Sequence, residues 1–277
     1  MTSDGSTTGQ GETPVERYSH GHHESVLRSH LWRTAENSAA FLLPHLKPSD
    51  HLLDVGCGPA TISADLARLL PLGAVNGVDN ADGAVAAAAE AAAQVPNLTI
   101  QQANVYDLPF SDGSFDVVFA HQVLQHLVDP VAALRELRRV LRIGGLLAVR
   151  DSDYGAFTWT PPTPLFDRWL EIYKAVTTAN KAEADAGRYL SSWVGEAGFH
   201  QLRITTSTWH FSSDEDRRWW GGLWSDRVKF SAFAEQARSI GASTQDELEA
   251  ISHAFLEWSS TSGATFTIPH GEVLATK

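Results

Sequence analysis

The residues able to do chemistry concentrate in Asp54-Val-Gly-Cys-Gly-Pro-Ala-Thr61. An apolar run delivers Asp54 into a Gly56-Cys57-Gly58 turn, and Pro59 and Thr61 then open a helix. Glycines let a backbone turn tightly and approach a ligand closely. The helix start behind them offers its free amides. Asp79 and Asn80 close the second apolar run, Asn104 and Val105 the third, and His121 and Gln122 the fourth. An acid at the end of a second strand can accept hydrogen bonds from ribose hydroxyls. The set suits a nucleotide-type ligand.

The details narrow the ligand. A dinucleotide fingerprint needs Gly-x-Gly-x-x-Gly, and here Thr61 stands at the third glycine position. Asp54 beside a pyrophosphate would repel it. S-adenosylmethionine instead presents an ammonium, a sulfonium and a neutral adenosine, which acidic and carbonyl groups suit. An NAD(P)-dependent oxidoreductase is the alternative, and a protein that binds S-adenosylmethionine without catalysis is a third reading.

Apolar strands alternate with helices across residues 49–153, the pattern of a doubly wound, mostly parallel sheet. Strands are expected at Leu52–Val55, Ala74–Val78, Leu98–Ala103, Asp116–Ala120, Leu146–Val149, Leu202–Phe211 and Ala264–Leu274, seven in all. Ligands in such α/β sheets sit beyond the carboxyl ends of the strands. Glu24 to Leu43 reads as one helix, with Leu27, Leu31 and Ala35 on a face. Asp129-Pro130 starts another, with Leu134 and Leu137 inward, Arg135, Arg138, Arg139 and Arg142 outward, and Gly144-Gly145 as its stop. Residues 1–14 read as a Ser/Thr/Gly-rich tail and 15–48 as a helical N-terminal cap. Residues 154–187 read as a cap insertion, and 188–277 as the rest of the core carrying a helical substrate cap at 214–260. Eight of nine tryptophans follow residue 150, so the large flat surfaces belong to the second half.

Asp54-Val-Gly-Cys-Gly58, Gly77-Val-Asp79, Asp107-Leu-Pro-Phe110, Ser114-Phe-Asp-Val-Val118 and Val140-Leu-Arg-Ile-Gly-Gly-Leu146 together resemble the class I S-adenosylmethionine-dependent methyltransferases, in particular the ubiquinone/menaquinone-biosynthesis type and its small-molecule relatives. The resemblance spans about residues 45 to 153 and implies a Rossmann-like fold with S-adenosylmethionine as cofactor and S-adenosylhomocysteine as product. It implies Asp54, Gly56, Cys57 and Gly58 along the methionine moiety and Asp79 with Asn80 at the ribose. Asn104 and Val105 would flank the adenine, Asn104 replacing the family's usual acid, and His121 and Gln122 would adjoin the sulfonium. Tyr18, His22, His23 and Asp153 are the catalytic candidates for taking a proton, and the N-terminal segment closes over the cofactor in this family, which implies Tyr18 and His22 there. Arg150, Tyr154, Trp220 and Trp224 are candidates for the acceptor. The quinone-methylating likeness favours C-methylation of a small aromatic molecule (an indole, quinone or phenol of secondary metabolism) over N- or O-methylation.

The formal net charge of −12 gives no general pull toward nucleic-acid phosphate or anionic lipid. The single Cys57 fits a reducing, cytoplasmic compartment. No apolar run nears the roughly 18 residues a membrane span requires. His20-x-His22-His23 lacks the acidic or cysteine partners of a metal site, so no metal is expected. The partner expected is a small aromatic substrate, with a homodimer compatible with the sequence.

Overall fold

The computed structural model describes residues 24–277. Tyr18, His22 and His23 lie outside the described residues. The parallel half of the sheet comprises β1 (His51–Val55), β2 (Ala74–Asp79), β3 (Leu98–Gln102), β4 (Phe115–His121) and β5 (Leu141–Ser152). Long antiparallel strands β7 (His200–Phe211) and β8 (Thr265–Thr276) complete it, with a short β6 (Thr158–Thr160) that sequence patterning misses. The order is β3-β2-β1-β4-β5-β8-β6, with β7 paired to β8, giving eight strands where seven were expected. β6 continues the ladder of β5 along β8: Ser152 faces His270, and Thr158 faces Thr267. Three residues cannot carry a strand signal by themselves; this one exists because β8 runs past the end of β5.

Helices α3 (Thr61–Leu69), α4 (Asp82–Ala93) and α5 (Pro130–Val140) link the parallel strands, and α7 (Leu190–Glu196) leads into β7. Two expectations fail here. The helix expected over Glu24–Leu43 is broken into α1 (Glu24–Leu31) and α2 (Ala35–Ser38), because Thr34 forms a reciprocal capping box with Asn37 and so restarts the helix. Leu31 is consequently exposed while Ala35 is buried. Gly144-Gly145 does not stop α5; the helix ends at Val140, buried Leu141 already belongs to β5, and Gly144 turns within that strand at φ +73°. Arg139, expected in solvent, donates to the Leu108 and Phe110 carbonyls and pairs with Glu136, fastening the 104–115 loop.

Above the sheet, α6 (Pro164–Ala179), α8 (Asp214–Phe230), α9 (Ala232–Ser239) and α10 (Gln245–Ser260) pack around Trp169, Trp224, Phe255 and Phe266. The α8–α10 segment is inserted between β7 and β8, so the far ends of those strands enter the helical core. Among the described residues no helix is long and apolar enough to cross a membrane.

Candidate functional site

One cavity of about 560 Å³ lies beyond the carboxyl ends of β1, β2 and β4, where a doubly wound sheet opens. At one end is the glycine turn. Gly56 (φ +68°) and Gly58 (φ +54°) adopt left-handed backbone, and a Cβ on Gly56 would lie 2.4 Å from the Val123 side chain. The turn is therefore locked against the loop that follows β4. Asp79 caps the turn: its two oxygens accept from the amides of Gly58 (3.1 Å) and Ala81 (3.0 Å). Each oxygen keeps further lone pairs for a hydroxyl.

Asp54 sits beneath the turn, accepts from the Ser63 hydroxyl at 2.5 Å, and is pushed up to about 7 by burial and by the Asp79 charge. A cation beside these carboxyls would offset the solvation they lose. The small residues Ala81, Gly83, Ala84 and Ala87 line the same cavity as Asn104 and Val105. Asn104 Oδ1 already accepts from the Tyr106 amide, leaving one lone pair. The carboxyl pair, the amide-lined turn and the small-residue lining beside Asn104 fit the ammonium, ribose and adenine of S-adenosylmethionine. Cys57 lines the same end, its thiol pushed up by burial and inert as a nucleophile.

The opposite end is aromatic. Trp32, Trp209, Phe211, Trp219, Trp220 and Trp224 wall it, with Tyr154 and Phe157 beside them. Trp220 and Trp224 thus face the cavity, yet they are 5% and 0% exposed and also hold up the helical core. Trp220 stacks on Phe211 at 4.6 Å, and Trp224 on Phe255 at 5.9 Å. Trp219 is the less buried member of the wall.

Between the two ends lie Arg33, His121, Gln122, Gln125 and His126. Burial, with the Arg150 and Arg33 charges, pulls His121 well below its usual range. Burial and Arg33 bring His126 down to about 3. Both imidazoles are neutral at physiological pH.

Two expected site residues are not at the cavity. Arg150 is 1% exposed and does not line it; its guanidinium pairs with Glu272 (3.3 Å), bonds Ser207 (3.0 Å) and lies 4.9 Å from the Trp209 ring. It is a buried support behind the wall, and its charge is already paired with Glu272 there. Asp153 also stands off the cavity, held by the Arg188 guanidinium at 2.9 Å, so its carboxylate is not poised as a base. The sequence reading missed Arg33, Trp209, His126 and His270. One signal for His270 was present: Phe266, Ile268, His270 and Glu272 alternate onto one buried face of β8, and a histidine and a glutamate interrupt an otherwise apolar series.

Comparison with known proteins agrees with this geometry. A family profile described as a methyltransferase domain matches residues 53–149. An uncharacterized methyltransferase of Schizosaccharomyces pombe is 32% identical over 270 residues, spanning 94% of this chain and 96% of its own. A demethylmenaquinone methyltransferase of Beutenbergia cavernae is 31% identical over 179 residues, spanning 62% and 69%. A solved phosphoethanolamine N-methyltransferase of Haemonchus contortus, in complex with phosphomonomethylethanolamine and S-adenosylhomocysteine, shares the fold with a TM-score of 0.53 at 15% identity, over 84% of this chain and 49% of that one. The chain belongs to the methyltransferase-domain family, the S-adenosylmethionine-dependent methyltransferases.

Proposed function

We propose that this methyltransferase acts on a small, flat aromatic molecule held in the tryptophan-walled half of the cavity, with a ring carbon favoured over oxygen or nitrogen as the methylated atom. The carrying observation is one continuous cavity with a carboxylate-bearing end and an aromatic end. Bound S-adenosylmethionine supplies an electrophilic methyl group on a sulfonium. Asp54, the glycine turn and Asp79 hold that cofactor in this reading, and Asn104 with Val105 flanks its adenine. The tryptophans stack the acceptor and exclude water, and rings stacked in this way are stabilised beyond their buried area. Alignment and desolvation then do most of the catalytic work, as an in-line displacement requires. His126 is too weakly basic to remove a proton efficiently at neutral pH. The demethylmenaquinone methyltransferase among the relatives supports a quinone-type acceptor. A reducing, cytoplasmic setting belongs to the same reading, supported by the lone Cys57.

Isotope-labelled methyl transfer from S-adenosylmethionine into a panel of indoles, quinols and phenols tests this. The expected outcome is a labelled aromatic product with the label on carbon. Labelled N- or O-methyl products would move the methylated atom. Binding of S-adenosylmethionine without turnover on any member, or on an aromatic metabolite extract, would favour a non-catalytic binding protein.

A further inference from the structure

Gln122 stands where the two halves of the cavity meet. Its neighbour Val123 packs on the glycine turn, while its own side chain meets Arg33 and His270. Among the described residues it is one of four non-glycine residues with positive φ, at +55°, and its amide donates to the Arg150 carbonyl at 2.7 Å. A bulky residue held in this conformation marks a place where surrounding structure overrides local preference, and such places cluster at functional sites.

Its side-chain amide is gripped at both ends. Arg33 Nη2 donates to Gln122 Oε1 at 2.5 Å, and Gln122 Nε2 lies 3.0 Å from His270 Nε2. A guanidinium can only donate, so the Arg33 contact fixes which end of the amide is oxygen. The NH₂ end therefore faces His270, whose Nε2 accepts. Burial and the Arg150 charge keep His270 neutral, consistent with an accepting nitrogen. His270 in turn packs on Trp209 with ring centroids 4.5 Å apart. One hydrogen of the Gln122 NH₂ group is committed to His270, and one remains. The Arg33 charge on the carbonyl end polarises the amide and strengthens that remaining donor.

We propose that the remaining Gln122 N–H donates to an oxygen on the acceptor ring, and that His270, which does not itself line the cavity, is the positioning residue that aims it. The inference rests on the aromatic-acceptor reading above and adds the chemical class: a ring carrying a hydroxyl or carbonyl oxygen next to the reacting position. Arg33 shares the task by holding the other end of the amide.

The test uses two probes of one shape, 2-naphthol and 2-methylnaphthalene, bound to the full-length protein saturated with S-adenosylhomocysteine and measured by equilibrium dialysis. Wild type should prefer 2-naphthol about tenfold, the order of one hydrogen bond in a dry site. Gln122→Leu should abolish the preference. His270→Phe should reduce it severalfold while leaving S-adenosylhomocysteine affinity unchanged, which also reports an intact fold. His270→Gln, which restores an acceptor, should recover it. The Gln122→Leu/His270→Phe double variant should be no worse than Gln122→Leu alone, because His270 acts through Gln122. Equal affinity of the two probes in wild type, or additive losses in the double variant, would overturn the inference while leaving the aromatic-acceptor reading intact. Binding of neither probe would overturn both.

Discussion

Asp54 loses hydration in the folded protein, and that loss shows in its pKa of about 7. A cationic cofactor beside it favours the ionised form, so below that pKa binding must expel a proton. S-adenosylmethionine affinity should therefore weaken as pH falls through about 7, approaching tenfold per unit, and level off above it. The ligand-free protein should respond oppositely. Its folded carboxyl holds a proton that the unfolded chain has already released, so this group's contribution to stability falls as pH rises from about 4 to about 7. Titration calorimetry across pH 5.5 to 8.5 reads the first effect, and an unchanged profile in Asp54→Asn would remove Asp54 from the account. Asp79 carries a different load. Its oxygens accept from two backbone amides, so Asp79→Ala should loosen the turn as well as lose the proposed ribose contact, costing on the order of 1–3 kcal/mol in S-adenosylmethionine binding. Unaltered affinity would place the ribose elsewhere. Asp153 should behave as its ion pair dictates: Asp153→Asn is expected to retain most turnover and to change stability by at most about 1 kcal/mol, as half-exposed pairs do. A loss of several orders in turnover would restore it as a catalytic group.

At the scale of elements, the tryptophans divide by what lies behind them. Trp224 has Trp169 at 4.5 Å and Phe255 at 5.9 Å on its far side. Trp224→Ala should therefore cost about 3–5 kcal/mol of stability, the range for large buried rings. Trp219 is less enclosed, and Trp219→Ala should cost less than half as much while weakening ring ligands; denaturant melts with and without acceptor separate the two effects. Equal destabilisation by both would mean that the wall is simply core. This division was not legible in the sequence. Helical spacing placed the residues on one helix but gave no sign of which face met Phe255 and which met the cavity. The glycine turn, Asp79 and the β4 end were legible because each is a local pattern with a local cause: strand, acid, turn, helix start. Arg33, Trp209 and His270 come from three distant segments and meet only through the register of β7 on β8 and the break at Thr34. No short-range pattern encodes that meeting.

At the scale of the molecule, β8 decides how the parts hold together. Phe266 and Ile268 lie in the aromatic core under the helices, Val273 and Ala275 in the core on one face of the sheet, and Leu274 in the core on the other. A single strand thus contributes to all three buried clusters, and β7 runs beside it over the same length. The helical layer cannot detach without unzipping the β7–β8 ladder, which would expose paired backbone groups at substantial cost. Chains of this size often populate intermediates, but here the shared strands argue for joint loss of helical and sheet cores. Thermal unfolding followed by tryptophan emission, which reports mainly the aromatic half, should coincide with unfolding followed by far-ultraviolet dichroism, which reports the whole. S-adenosylhomocysteine at the proposed sheet-end site should nevertheless shift both signals together, by about 2.7 kcal/mol at a hundredfold excess over its dissociation constant. Two separated transitions, with only the later one moved by ligand, would show that the helical layer melts independently. The acceptor wall would then be a loosely coupled cap rather than part of the same cooperative body.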